Sequence, residues 1–567
     1  MEPAARPRPA GEPANAIVLG VFLLIPLAVS PVFAEPFTSP KWYLLELAAV
    51  CWFVLERFRY GSHGFPSFLR QTWILAVPFV AFTVLQSLLL GLDWAVPPLV
   101  ARASFLLLAV SSFWYFRRNQ LRTTALETGV TIAAAAVITM GSLQFAGRWP
   151  LPWWPGGDPC SATFGNVNMA AQFAGLAVLV RLSRPGGSGV ARCAPATGFM
   201  TEALAAGGFA YVYLAATRSV GLALGAALVF LASVRRLPPA RLLRAAAGAV
   251  VLVFLVLHPW TGDRGRARAE LRAGKARTVE MRLAVWSDTL DLILDHPFGV
   301  GAGSFEHAFI PYALAGRSRP DERMVYRSPH NEYLRVLAEH GLLGAGVLAT
   351  LLVLLVRELH RSPVIARWRS DSGVLIGSCG TFLAIEAFFQ FPFEMAVPAL
   401  LAAVLLGLAW ACVEPAPGLT LPVTHPRNRP GRAGNVATVL VALALACGLG
   451  RIVAADYLSV GRRDARSLER ACAWDGSRVR ACLDAAWLFD RAGQREAARR
   501  LIDGVLERSP DFFPAIKLRG EVALAGGDLA RACRDLEAYD AMFGGRSSVG
   551  AVVRQKCGRR DPPPGRE

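Results

Sequence analysis

The sequence predicts an all-α, polytopic membrane protein with about 12–13 transmembrane helices, a large polar loop and a C-terminal helical-repeat domain. Three observations predict it. Hydrophobic residues make up 54% of the chain and charged residues only 18%, against about 25% charged in a soluble domain. The apolar residues fall into runs of about 17–22, the length a helix needs to cross roughly 30 Å of hydrocarbon. Basic residues gather at alternate ends of those runs, the asymmetry expected of membrane insertion.

Thirteen runs can be read, at approximately 16–34, 42–57, 72–91, 97–116, 126–146, 165–182, 200–217, 219–234, 241–258, 334–356, 372–391, 395–413 and 435–452. They divide the chain into an N-terminal bundle (1–258), a polar loop (259–333), a second bundle (334–452) and a tail (453–567). The first run ends in Val32, Phe33 and Ala34 before Glu35, a pattern a signal peptidase could cut. Because many more apolar runs follow it, a retained first helix is the expected reading. Basic clusters fall at 57–70, 117–122, 181–192, 235–244, 357–369 and 427–432, whereas the connections at 92–97, 147–163 and 391–394 are poor in Lys and Arg. With a cytoplasmic N-terminus, all six clusters face the cytoplasm of a bacterial inner membrane. The loop and the tail then face the periplasm. This placement accounts for the formal charge of +18 and argues against a nucleic-acid partner.

In the tail, Gly493 recurs as Gly527 and Ala498 as Ala532, a period of 34 that reads as tetratricopeptide-like helix pairs. Such a surface binds a protein partner or packs against the loop. Four of the ten cysteines, Cys472, Cys482, Cys533 and Cys557, lie in the tail. In an oxidising compartment they suggest two disulfides, most simply Cys472–Cys482 and Cys533–Cys557, with free buried thiols as the alternative. No CxxC or His-rich metal pattern occurs, and no cofactor or metal is expected.

Ionisable residues set among apolar runs are functional candidates, because lipid penalises their charge. Arg218 lies between two runs with almost no loop, on the side that otherwise avoids Arg; the bland alternative is a snorkelling side chain. In the loop, Leu283, Trp286, Leu290 and Ile293 have helical spacing, so Arg282 is expected to begin an amphipathic helix along the membrane surface. Gly299, Gly301 and Gly303 have no strand–helix–strand context and read as a tight turn rather than a dinucleotide fingerprint. Further on, Ser328 fits an N-cap and Pro329 the first helical position. This places His330 in the first turn of a transmembrane helix, at a terminus that attracts anions. A His there can exchange a proton near neutral pH.

These residues carry a resemblance. Phe164 to Ala170 with its Asn166 and Asn168, then Thr217, Arg218 and Ser219, then Arg282 and Trp286 with the 297–303 turn, then His330, Asn331 and Leu334 followed by Glu339, Gly341 and Gly344, resemble in order the motifs of the O-antigen ligase and polymerase superfamily. The likeness covers about 165–412. It implies a metal-independent glycosyltransferase acting at the periplasmic face. The donor would be a glycan on undecaprenyl pyrophosphate. The acceptor would be lipid A core, another glycan chain or a protein; the motifs do not separate ligase, polymerase and protein O-oligosaccharyltransferase. By the same resemblance Arg218 and Arg282 would grip the pyrophosphate, and His330 would take the acceptor proton. Asn331 would orient His330, and Asn168 would contact substrate. Arg102, just inside the periplasmic end of its helix, is a further phosphate-side candidate without motif support. A transporter or flippase is a more distant reading, since transporters place charged, broken segments at the midplane, whereas these charges gather at a rim. A membrane anchor displaying the tail would leave Arg218 unexplained.

Overall fold

The computed structural model describes residues 12–59, 66–89, 92–148, 160–183, 195–235, 239–257, 264–322, 324–365, 368, 370–414, 432–461 and 464–558. Much of the basic connections, of 147–163, the loop's first residues at 258–263, and Cys193 lie outside these. All thirteen apolar runs are helical: α1 (Glu12–Leu27), α2 (Ser39–Phe58), α4 (Trp73–Leu89) after the short α3 (Ser67–Gln71), α5 (Leu92–Arg118), α6 (Thr124–Phe145), α7 (Val167–Leu182), α8 (Pro195–Leu214), α9 (Arg218–Arg235), α10 (Pro239–Leu257) and, after the loop, α14 (Glu332–Arg361), α15 (Asp371–Phe389), α16 (Ala396–Val413) and α17 (Arg432–Gly461). Six stretches of these helices are long and apolar enough to cross a membrane, in α5, α6, α14, α15, α16 and α17. Among the described residues there is no strand. The architecture is therefore all-α and polytopic.

Backbone groups in lipid must be satisfied within the segment, so a helix is the only open element a spanning run can form. Helices then associate through close packing at small residues. A Cβ on Gly407 of α16 would lie 2.4 Å from the Ala109 carbonyl oxygen of α5, and one on Gly129 of α6 would lie 2.8 Å from Phe22 of α1. The first run ends earlier than its apolar character suggests. Helix α1 stops after Pro26, and residues 28–38 form turns closed by Ser30 N–H donating to Pro36 O at 3.0 Å. Buried Lys41 ties these turns together, its ammonium donating to the carbonyls of Ala28, Phe37 and Thr163 at 2.6–2.8 Å.

The loop between α10 and α14 holds α11 (Arg264–Asp295), α12 (Phe305–Ala308) and α13 (Ile310–Ala315). The helix expected to begin at Arg282 begins 18 residues earlier. Its first half is charged and carries no apolar period, which hid it from a hydrophobicity reading. The second half packs through Val285, Leu292 and Ile293 against Phe305, Phe309, Tyr326 and Ala338. The turn that follows is glycine-built as expected, with φ of +83°, +99° and +79° at Gly299, Gly301 and Gly303.

That turn docks across a break in α14. Gly341 has φ +68° and ψ −177° inside the helix, which frees backbone groups that the turn collects. Val300 N–H donates to Ala338 O (2.9 Å) and Gly301 N–H to Glu339 O (3.0 Å), while Leu342 N–H donates to Pro297 O (2.9 Å).

The tail forms α18 (Ala465–Trp474), α19 (Val479–Arg491), α20 (Arg495–Arg508), α21 (Phe513–Ala525), α22 (Leu529–Met542) and α23 (Gly550–Cys557). The α19/α20 pair and the α21/α22 pair start 34 residues apart, at Val479 and Phe513 and at Arg495 and Leu529. Ala498 and Ala532 are fully buried where the pairs close on their neighbours. Both disulfides are present, Cys472–Cys482 and Cys533–Cys557. Alkylation without reductant is expected to label none of these four thiols by intact mass; labelling all four would contradict the pairing.

The tail packs onto the loop. Ile310, Leu314 and Val325 share its apolar core. Glu322 of the loop accepts hydrogen bonds from the Tyr539 hydroxyl (2.8 Å) and from the Ser548 N–H and hydroxyl (both 2.5 Å). Arg478 pairs with Asp456 at 2.8 Å, and Asp456 also takes the Tyr43 hydroxyl at 2.6 Å, so the tail touches the bundle too.

Candidate functional site

His330 sits where α11, the start of α14 and the end of α15 converge. The expected cap is corrected here. Helix α14 begins at Glu332, and its N-cap is Asn331, whose side-chain oxygen accepts from Tyr333 N–H (3.0 Å) and Leu334 N–H (3.1 Å). Ser328 instead closes a turn, accepting from His330 N–H at 3.2 Å. Both are cap-type residues three positions apart, and Asn331, with the extended backbone of a cap (φ −154°, ψ 110°), is the one that takes the helix N–H groups. His330 therefore precedes the helix, in a left-handed conformation (φ +53°). The Asn331 amide oxygen is occupied by the helix rather than by the imidazole.

Helix α11 reaches this segment through Trp286, whose indole N–H donates to Pro329 O at 2.8 Å and whose ring stands edge-on to Phe388 at 5.3 Å. One helical turn before Trp286 is Arg282. The His330 ring lies 5.1 Å from Phe391 and is hydrogen-bonded by the Gln390 side chain. Burial, then the nearby Arg282 charge, push its pKa down to about 4, with the Gln390 bond opposing. At neutral pH the imidazole is uncharged and can accept a proton. Burial also works against the Arg282 charge, and the Glu386 carboxylate supports it.

Glu386, fully buried on α15, joins these parts to the third arginine. It accepts from Gln172 Nε2 of α7 at 3.2 Å and is hydrogen-bonded by Ser219. Ser219 follows Arg218, the first residue of α9, and Arg218 is exposed just after a tight left-handed turn at Ala216 (φ +52°). Arg282 is an electrostatic neighbour of both His330 and Glu386, while Arg218 comes beside Glu386 through the adjoining Ser219. Asn168 lies one turn before Gln172 on α7 and is half-buried, its N–H donating to Asn166 Oδ1 at 2.8 Å.

Arg102 is drawn into a neighbouring group of charges. Its guanidinium pairs with Glu339 at 3.3 Å, in a cluster with Arg335, Glu332 and Glu394. Sequence reasoning missed Glu386, Gln390 and this cluster. Glu386 could have been found by the argument applied to Arg218, a charge inside an apolar run. Gln390 has no such signal. Among the described residues, no group of three or more His, Cys, Asp or Glu is placed to hold a metal ion.

The O-antigen ligase family matches residues 203–349, about a quarter of the chain. The matched stretch contains Arg218, Arg282 and His330 and excludes Asn168, Glu386 and the tail. No curated protein matches the chain.

Proposed function

We propose that this chain is a membrane glycan transferase of the O-antigen ligase type, moving an oligo- or polysaccharide from undecaprenyl pyrophosphate to an acceptor at the periplasmic face of the inner membrane. The observation that carries the reading is a half-buried His330 beside Arg282, within the stretch that matches the O-antigen ligase family. His330 takes the proton of the acceptor hydroxyl. The freed oxygen attacks the anomeric carbon, and the carbon–oxygen bond to pyrophosphate breaks, its electron pair leaving with the phosphate. Arg282 and Arg218 hold the phosphate oxygens and balance that charge. Arg218→Lys keeps the charge but loses the two-pronged grip. Transfer is expected to fall at least tenfold, the scale of one lost charge-assisted bond at about 1.5–3 kcal/mol.

Polymerase and protein O-oligosaccharyltransferase activity remain the alternatives, because the acceptor alone separates the three. The tail, read as a tetratricopeptide-like array from its 34-residue offset, supports a protein partner or a polymer guide. Surface glycan profiling of a deletion strain tests the choice. Uncapped lipid A core with accumulated lipid-linked polymer identifies a ligase, and single-repeat product a polymerase. Normal lipopolysaccharide with unglycosylated protein identifies the third. Unchanged glycans throughout would refute the reading.

A further inference from the structure

Beneath His330 lies a buried group of charges that the proposed chemistry does not use. Arg335, on the first turn of α14, has a nearly inaccessible side chain (13% exposed) facing three carboxylates. It pairs with Glu332 at 3.5 Å, with Glu339 at 3.1 Å and, closest of all, with Glu394. Its N–H donates to Asn331 O at 3.0 Å, so its backbone is fixed to the residue after His330. Glu394 ends the 3-10 turn Pro392–Glu394, whose own carbonyl accepts from the Trp42 indole at 3.2 Å. That turn follows directly on Gln390 and Phe391, the two residues whose side chains meet the His330 ring.

Three carboxylates around one guanidinium would be unfavourable without a purpose, since removing charge from water is recovered only with good geometry and complete pairing. Arg102 adds a second guanidinium from α5 at Glu339, so two positive charges face the three carboxylates. The result is a brace between the helix that begins beside His330 and the turn that touches its ring. We propose that Arg335, acting through Glu394, is a positioning residue that holds Gln390 and Phe391 against His330. The inference rests on His330 being the base of the proposed transfer.

The groups facing His330 are Arg282 from α11, with Glu386 of α15 behind it, and Gln390 and Phe391 from the turn. Of these the Gln390 bond favours the protonated ring. Releasing the turn weakens that bond, so the acid limb of the rate–pH profile moves to lower pH. A merely reduced fraction of folded enzyme leaves the limb in place.

Arg335→Gln strands three carboxylates and can fail to fold, so Glu394→Gln is the primary variant. The assay is transfer from an undecaprenyl-pyrophosphate-linked glycan by the full-length protein in lipid vesicles, at saturating donor. Glu394→Gln is expected to lower kcat about tenfold, the effect of a base displaced from its place, and to shift the acid limb downward. The double variant Arg335→Gln with Glu394→Gln should be no worse than Arg335→Gln alone. A parental rate and limb in Glu394→Gln, with His330→Ala inactive, overturns the positioning role and leaves the proposed function standing. No transfer by the parent protein overturns both.

Discussion

His330→Ala and Arg282→Ala should each reduce glycan transfer to background while the protein reaches the membrane at its normal level. A positioned base contributes about 10²–10⁴-fold, and loss of a charged donor on the leaving phosphate costs a similar factor. Immunoblots of membranes beside a vesicle transfer assay check both halves of the statement. Because His330 holds a left-handed backbone, alanine there adds local strain. His330→Asn is the better control, since asparagine tolerates that conformation and still cannot act as a base. The arginine variant has a second signature. Arg282 is one of the two causes that lower the His330 pKa. Removing a positive neighbour favours the protonated ring, so any residual reaction in Arg282→Ala should show its acid limb at higher pH. Full activity in either variant would end the proposed mechanism.

Gly341→Ala should be the most damaging single substitution outside the site. Its Cβ would lie 2.4 Å from both the Phe298 carbonyl carbon and the Pro297 oxygen, atoms of a backbone that cannot swing away. The dihedrals, φ +68° with ψ −177°, belong almost only to glycine. Strain of about 1–3 kcal/mol adds to the loss of backbone bonds between the 297–301 turn and α14, each worth about 1 kcal/mol. Thermal unfolding in detergent should fall by many degrees, or the protein should not accumulate. Gly346→Ala, on the same helix with nothing within 4 Å of its Cβ, should be neutral or gain up to about 1 kcal/mol. Equal melting of the two variants would mean that the turn does not depend on this break.

The helices were legible because lipid leaves a chain few options, and their apolar lengths stand in the sequence. Arg218 stood out for the same reason, as a charge where charge is penalised, and its role stays a proposal. The glycine turn was readable from its residues, and the two disulfides were one of two readings that four tail cysteines allowed. Other features depend on partners far along the chain. Arg102 reads as a free rim arginine until Glu339, 237 residues away, is seen to hold it. Helix α11 was mistimed because its first half is charged all round. The cap of α14 was misplaced because Ser328 and Asn331 are equally good cap residues, and only the folded hydrogen bonds tell them apart. Gln390 reaches His330 across a fold that no local pattern encodes.

The docking of Glu322 onto Tyr539 and Ser548 bears on how this protein can be taken apart. A cut at the start of the tail looks harmless on paper, since the matched family stretch ends at 349. It would uncover Ile310, Leu314 and Val325 and strand a carboxylate that now has three donors. The loop and the tail are one unit for expression, chimera design and crystallisation, and a tail exchanged between relatives must bring its own answer to Glu322.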